Sequence, residues 1–171
     1  MKRIKWMNNL LNAPLVSQTR RNHALEHATI HLLGARFPGR AMAGHSNPTG
    51  FFLIGELPTE QVRAAVGEAL KRLQNGESGL AIHPGCGTNY VVTGALAALF
   101  ALIGMIGTKN ARERWERFPL LMALSMLAFA VAPPLGFALQ KRVTTQPNPG
   151  GLTVVDIYPV SKNIHRVVTR S

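Results

Sequence analysis

Two long runs without a charged residue, Thr88 to Thr108 and Phe118 to Gln140, limit what this chain can become more than any other feature. Each is about the 20 residues that an α-helix needs to cross the hydrocarbon core of a bilayer. A soluble bundle is the competing arrangement. However, a chain of 171 residues has little with which to cover two helices that are apolar all round. The runs therefore predict a transmembrane hairpin, and their content of Gly, Ala and Ser permits close helix packing. Pro133-Pro134 is expected to kink or break the last turns of the second helix.

The charge pattern agrees with a membrane setting. Nineteen Lys and Arg against eight Asp and Glu give a net charge of +11. These residues sit in small groups at Lys2 to Lys5, Arg20-Arg21, Lys109 to Arg117 and Lys141-Arg142, and the last two groups flank the apolar runs. Such a distribution suits anionic lipid headgroups. It argues against nucleic acid as a partner, which calls for a gathered basic stripe with interleaved aromatics. The N-terminus starts like a signal peptide, but Asn8-Asn9 and Asn12-Ala13-Pro14 interrupt the apolar region. It reads instead as a short amphipathic segment lying on the membrane. Basic residues are nearly balanced between the two sides of the hairpin. The soluble part and both termini are placed in the cytoplasm because no export signal is read.

The remaining chain divides into a segment over 1–19, an α+β domain over 20–89, the hairpin over 90–140 and a tail over 141–171. Arg21 to His31 reads as helix, with stops at Gly34 and Pro38-Gly39. A strand follows over Phe51 to Leu57. A second helix opens at Pro58-Thr59-Glu60, with Thr59 as N-cap, and buries Val62, Ala65, Val66, Ala69, Leu70 and Leu73 along one stripe. Asn75-Gly76 ends it through a left-handed glycine. Leu80 to His83 is expected as a short strand. In the tail, Leu152 to Tyr158 alternates like a strand and Ile164 to Val168 resembles another. An even number of spans returns the tail to the side of the first domain, whose sheet it can then extend. The fold class is α+β, a small helix-plus-sheet domain packed on a two-helix transmembrane hairpin.

The chemistry concentrates in two clusters. In His23-Ala24-Leu25-Glu26-His27 the histidines are four apart, on one helix face, with Glu26 on the adjoining flank. This H-x-x-E-H spacing inverts the H-E-x-x-H zinc helix. In His83-Pro84-Gly85-Cys86 the two donors are three apart across a Pro-Gly turn, much as in C-x-x-C. Cys86 also begins an apolar helix, where the dipole favours a thiolate. His23, His27, His83 and Cys86 together make a tetrahedral set suited to a divalent ion. Zinc fits best, with iron, nickel or cobalt as alternatives.

Four bound side chains would make the metal structural. Three would leave a place for water, with Glu26 as general base in a hydrolase acting on a peptide or lipid-linked substrate at the membrane. The non-catalytic alternative is an assembly or scaffold subunit with a membrane-protein partner. A redox or metal-sensing role through Cys86 is a third reading. His31 lies two turns beyond His23 as a reserve ligand, and His31, His45 and His165 otherwise read as hydrogen-bonded residues.

Three blocks, Arg21 to Thr29, Gly50 to Glu56 and Leu80 to Asn89, resemble an uncharacterised bacterial membrane family known as a domain of unknown function. The two outer blocks are also similar to the YqhQ-like family of predicted metal-dependent membrane proteins. There, a histidine-glutamate-histidine helix is paired with a His-Pro-x-Cys-Gly-Thr turn leading into a transmembrane helix. The resemblance implies a membrane-embedded metal site with His23, Glu26, His27, His83 and Cys86 at matching positions. Gly85 stands where both families often carry a basic residue, so no anion contact is carried over to it.

Overall fold

The structure is a computed structural model that describes Trp6 and residues 9–171. The chain forms two compact units, Met1–His83 with Lys141–Ser171, and Pro84–Gln140. Much of the expected N-terminal amphipathic segment lies outside the described residues; from Pro14 onward its residues belong to the first helix.

That helix, α1 (Pro14–Arg36), starts with proline at a position where a missing N–H costs nothing. It passes through Gly34 and stops only where Phe37-Pro38-Gly39 cannot continue it. From Asn22 to Leu33 it is buried on nearly every side, which explains why polar residues on it all need partners. The sheet has the order β1-β2-β4-β3, with β1 (Ala43–Asn47), β2 (Gly50–Ile54), β3 (Thr153–Ser161) and β4 (Ile164–Arg170), each neighbouring pair antiparallel. β3 and β4, from the tail, lie in the same sheet as β1 and β2. Phe51, Leu53, Ile157 and Val167 point from the sheet into one core with Leu25 and Leu33 of α1. Helix α2 (Thr59–Gln74) adds Val62, Ala65, Val66, Ala69 and Leu73 to that core, and Gly76 ends the turn beyond it with φ +88°.

Three local expectations need correction. The sequence carries no signal for strand β1, because Gly44, Ser46 and Asn47 are poor strand formers; its pairing with β2 overrides propensity. Leu80 to His83 is no strand. Ser78–Ala81 form a 3-10 turn, and the carbonyls of Ala81 and Ile82 are taken by histidine side chains instead of a neighbouring strand. Thr59 does not cap α2. The residue at that position is Pro58, and the Thr59 hydroxyl meets His165 Nε2 at 3.0 Å.

In the second unit, α3 (Gly87–Gly104) packs against α5 (Phe118–Leu139), with the short α4 (Ala111–Glu116) between them in sequence. The two long helices run antiparallel. Gly104 at the end of α3 faces Leu121 and Leu124 near the start of α5, and Gly136 near the end of α5 faces Asn89 at the start of α3. Ala128, Ala132 and Gly136 recur every four residues on α5 and are buried, so small side chains line this contact. The opposite faces are apolar and bare: Met126 is 69% exposed and Phe129 63%. Both segments, Gly87–Gly104 and Phe118–Thr144, are long and apolar enough to cross a membrane. Helix α5 does not break at Pro133-Pro134. It continues to Leu139, and the irregularity falls at Gln140–Thr144, where the helix widens into a π turn.

Gln140 Nε2 donates to Asn89 Oδ1 at 2.9 Å, and Asn89 Nδ2 donates to the Pro84 carbonyl at 2.7 Å. A Cβ at residue 136 would collide with Asn89 Oδ1. Gly136→Val should therefore open the helix pair and lower its stability by about 1–3 kcal/mol, measured as unfolding of purified protein in mixed micelles; an unchanged midpoint would show that the close approach is not needed.

Candidate metal centre

The α+β unit gathers four histidines in a row. His23 and His27 have ring centroids 4.3 Å apart, His27 and His83 5.7 Å, and His83 and His31 4.9 Å. Three of them are from α1, one turn apart, as the four-residue spacing requires. His83 arrives from the segment after the 3-10 turn. The reserve residue His31 is thus part of the same row.

Backbone carbonyls hold three of these rings. His27 Nδ1 lies 2.7 Å from the Ala81 carbonyl, His23 Nδ1 3.0 Å from that of Thr144, and His31 Nε2 2.7 Å from that of Ile82. A carbonyl only accepts, so each contacting nitrogen carries the proton. His23 and His27 are thereby fixed as Nδ1–H tautomers with the lone pair on Nε2, the form in which imidazole binds metals. The Thr144 carbonyl is itself positioned. Arg20, one turn before His23, donates to the carbonyls of Val143 at 2.6 Å, Thr145 at 3.0 Å and Arg142 at 3.3 Å, and so clamps the tail along α1. Buried Asn22 secures the other side of the helix. It donates to the Asn47 carbonyl at 2.8 Å and accepts from the Thr169 hydroxyl at 2.7 Å.

Glu26 is buried on the neighbouring flank, which faces β1. Its Oε2 accepts from the Ser46 hydroxyl at 2.5 Å. Its carboxyl end lies where a Cβ of Gly44 would stand, so glycine at 44 is what admits the carboxylate beneath the strand. Cys86 belongs to the second unit. It is buried and caps α3, its sulfur accepting from the Thr88 N–H at 3.5 Å. Two residues, Pro84 and Gly85, separate it from His83, a tether of at most ~11 Å between their Cα atoms. His23 and His27 belong to the first unit and Cys86 to the second, and each offers an atom of a type that ligates metal ions. His45 is exposed, and His165 is buried and bonded to Thr59.

Sequence reasoning passed over Arg20, Asn22, Gly44, Ser46 and Thr144. Asn22 adjoins His23 and Arg20 lies one turn before it, and their nearness to a candidate ligand is the available signal. Thr144 acts through its backbone, which no residue pattern reveals.

Burial and the neighbouring imidazoles of His31 and His27 lower the pKa of His83 from 6.5 to about 4. The unfolded chain takes up this proton near pH 6.5, whereas the folded chain resists it down to about pH 4. Stability of the metal-free protein should be full above that window and fall as pH drops through it. Thermal unfolding across the range checks this, and His83→Gln should flatten the profile; an equal slope in the variant would assign the acid sensitivity elsewhere.

An α+β unit with an ordered histidine row, followed by a pair of long apolar helices, defines the class of protein. The chain belongs to a family described as a domain of unknown function, DUF6391, whose model matches residues 18–157. It is also 36% identical over 140 residues to an uncharacterized protein of Picosynechococcus sp. (strain ATCC 27264 / PCC 7002 / PR-6). That alignment covers 74% of this chain and 65% of the relative. No solved structure matches it significantly.

Proposed function

We propose that this is a membrane-anchored metalloprotein. In this reading α3 and α5 span the bilayer, and His23, His27 and Cys86, with His83 as the fourth donor, hold one metal ion near the membrane surface. The observation that carries the reading is the pair of carbonyl-locked imidazoles, His23 and His27, each with its lone pair on Nε2. Two nitrogens, a third imidazole beside His27 and a thiol at a helix N-terminus favour zinc among common ions. Bare apolar faces on α3 and α5 support insertion. Strands from before and after the helix pair share one sheet, which fits two crossings with both ends on one side, taken as cytoplasmic. Basic residues at Lys109 to Arg117 and Lys141-Arg142 then meet anionic headgroups.

With four donors the shell is closed and the ion is structural, the role expected of an assembly or scaffold subunit. Glu26 supports this version, since its carboxylate is engaged by Ser46 and packed against Gly44, bracing α1 to β1. The hydrolase reading retains one specific observation. A buried carboxylate lies in the helical turn that carries both His23 and His27. If His83 does not bind, a metal supplies Lewis-acid activation of water, and Glu26 would hold and pass on the proton.

Full-length protein purified in detergent should contain about one ion per chain, and His27→Ala and Cys86→Ser should each lose it, measured by elemental analysis. Stoichiometric metal retained in Cys86→Ser would remove the sulfur from the site, and no bound metal in the wild type would end the reading.

Glu26→Gln separates the two versions. It should keep the ion and shift Tm by only a few degrees, about 1 kcal/mol in stability. Under the structural version the variant replaces the wild type in cells that lack the native copy. Failure to do so, with metal and fold intact, would install the hydrolase.

A further inference from the structure

Beyond the metal donors, the row of imidazoles ends in a cleft of about 320 Å³ lined by Ile30, His31, Gly34, Arg40, Met42 and His83. This is the small end of the size range for ligand sites, roughly 300–1,000 Å³. Its lining has two characters. Ile30 and Met42 offer an apolar wall, whereas Arg40 supplies a fixed positive charge and His31 and His83 supply imidazoles.

Arg40 is held in place without being neutralised. Its Nη1 donates to the Glu56 backbone carbonyl at 2.5 Å, and the guanidinium lies 5.0 Å over the Phe37 ring. Among the described residues no carboxylate forms an ion pair with it. A guanidinium fixed by stacking and by a single backbone bond retains donors for a carboxylate fork. The cleft is open at Gly34, where a Cβ would meet no atom within 4 Å.

We infer that this cleft binds a small monocarboxylate with a short hydrocarbon chain, its carboxylate on Arg40 and its chain against Ile30 and Met42. A short fatty acid and the C-terminal residue of a peptide both present this chemistry. The cleft places such a ligand against His83, whose ring is 5.7 Å from that of His27. Binding does not depend on the metal, so it is tested apart from it.

The test uses full-length protein in phosphatidylcholine nanodiscs, stripped of metal with a chelator, titrated with butanoate and separately with 1-butanol by saturation-transfer NMR. Butanoate should bind and butanol should not. Arg40→Gln, at an exposed position, should weaken butanoate about tenfold or more, the value of one charge-assisted hydrogen-bonded pair. Gly34→Leu adds a side chain at a cleft-lining position where a Cβ meets no atom within 4 Å, and it improves helix propensity, so it should abolish binding in a protein whose fold is checked by its unfolding midpoint. A peptide ending in a free carboxylate and its C-terminal amide then distinguish the sources, with only the free acid competing if peptides are bound. Equal binding of butanol, or butanoate affinity unchanged in either variant, would overturn the inference. Because the protein is metal-free throughout, a negative metal analysis and a negative titration remain separate results.

Discussion

Three main-chain carbonyls, those of Ala81, Ile82 and Thr144, hold the histidine face of α1, and the arrangement of the α+β unit follows from providing them. An imidazole buried in a helix face needs a partner, and α1 has nothing to offer within its own turns. The partners come from two distant stretches. One is the tight turn after α2, which leaves the carbonyls of residues 81 and 82 unpaired by any strand. The other is the segment after the helix pair, pressed onto α1 by the guanidinium of Arg20. Folding of the α+β unit thus requires chain from both sides of the apolar helices.

The sheet imposes the same requirement from the opposite side of α1. β2 lies between β1 and β4, so the central pairing joins residues 50–54 to residues 164–168. Glu26 and Asn22 reach this layer, one to Ser46 and the other to Asn47 and Thr169. Between Asn22 and Leu33, helix α1 is consequently polar on two flanks and apolar on the rest, yet buried on nearly every side. This distribution explains why its sequence lacks a clean amphipathic stripe and why each polar residue in the stretch Asn22 to Thr29 has a defined contact. Thr29 satisfies its own hydroxyl on the Leu25 carbonyl at 2.8 Å.

Patterns carried by side chains were legible in the sequence. The four-residue histidine spacing, the α2 stripe and the charge-free runs depend on residue type at fixed intervals and recur in the structure; the tail strands form as well, although burial along them does not alternate and β3 carries register shifts. What escaped depends on the backbone or on tertiary demand. β1 contains Gly44 because Glu26 needs the room, not because glycine favours strands. Leu80 to His83 carries β-branched and apolar residues yet turns, since its carbonyls go to histidines. Pro133-Pro134 is an expected break, but the helix absorbs it and widens six residues later. The clustering of His83 with His31 needed the turn geometry, which no spacing in one segment encodes.

The lock on the two imidazoles is the claim from which the metal reading grows, and protonation state at each ring nitrogen reports it directly. Long-range 15N–1H correlation spectra of histidine-labelled, metal-free protein at neutral pH should show His23 and His27 as Nδ1–H tautomers, with Nε2 at the chemical shift of an unprotonated nitrogen. Both rings as Nε2–H tautomers, or in rapid exchange between the two forms, would contradict the account.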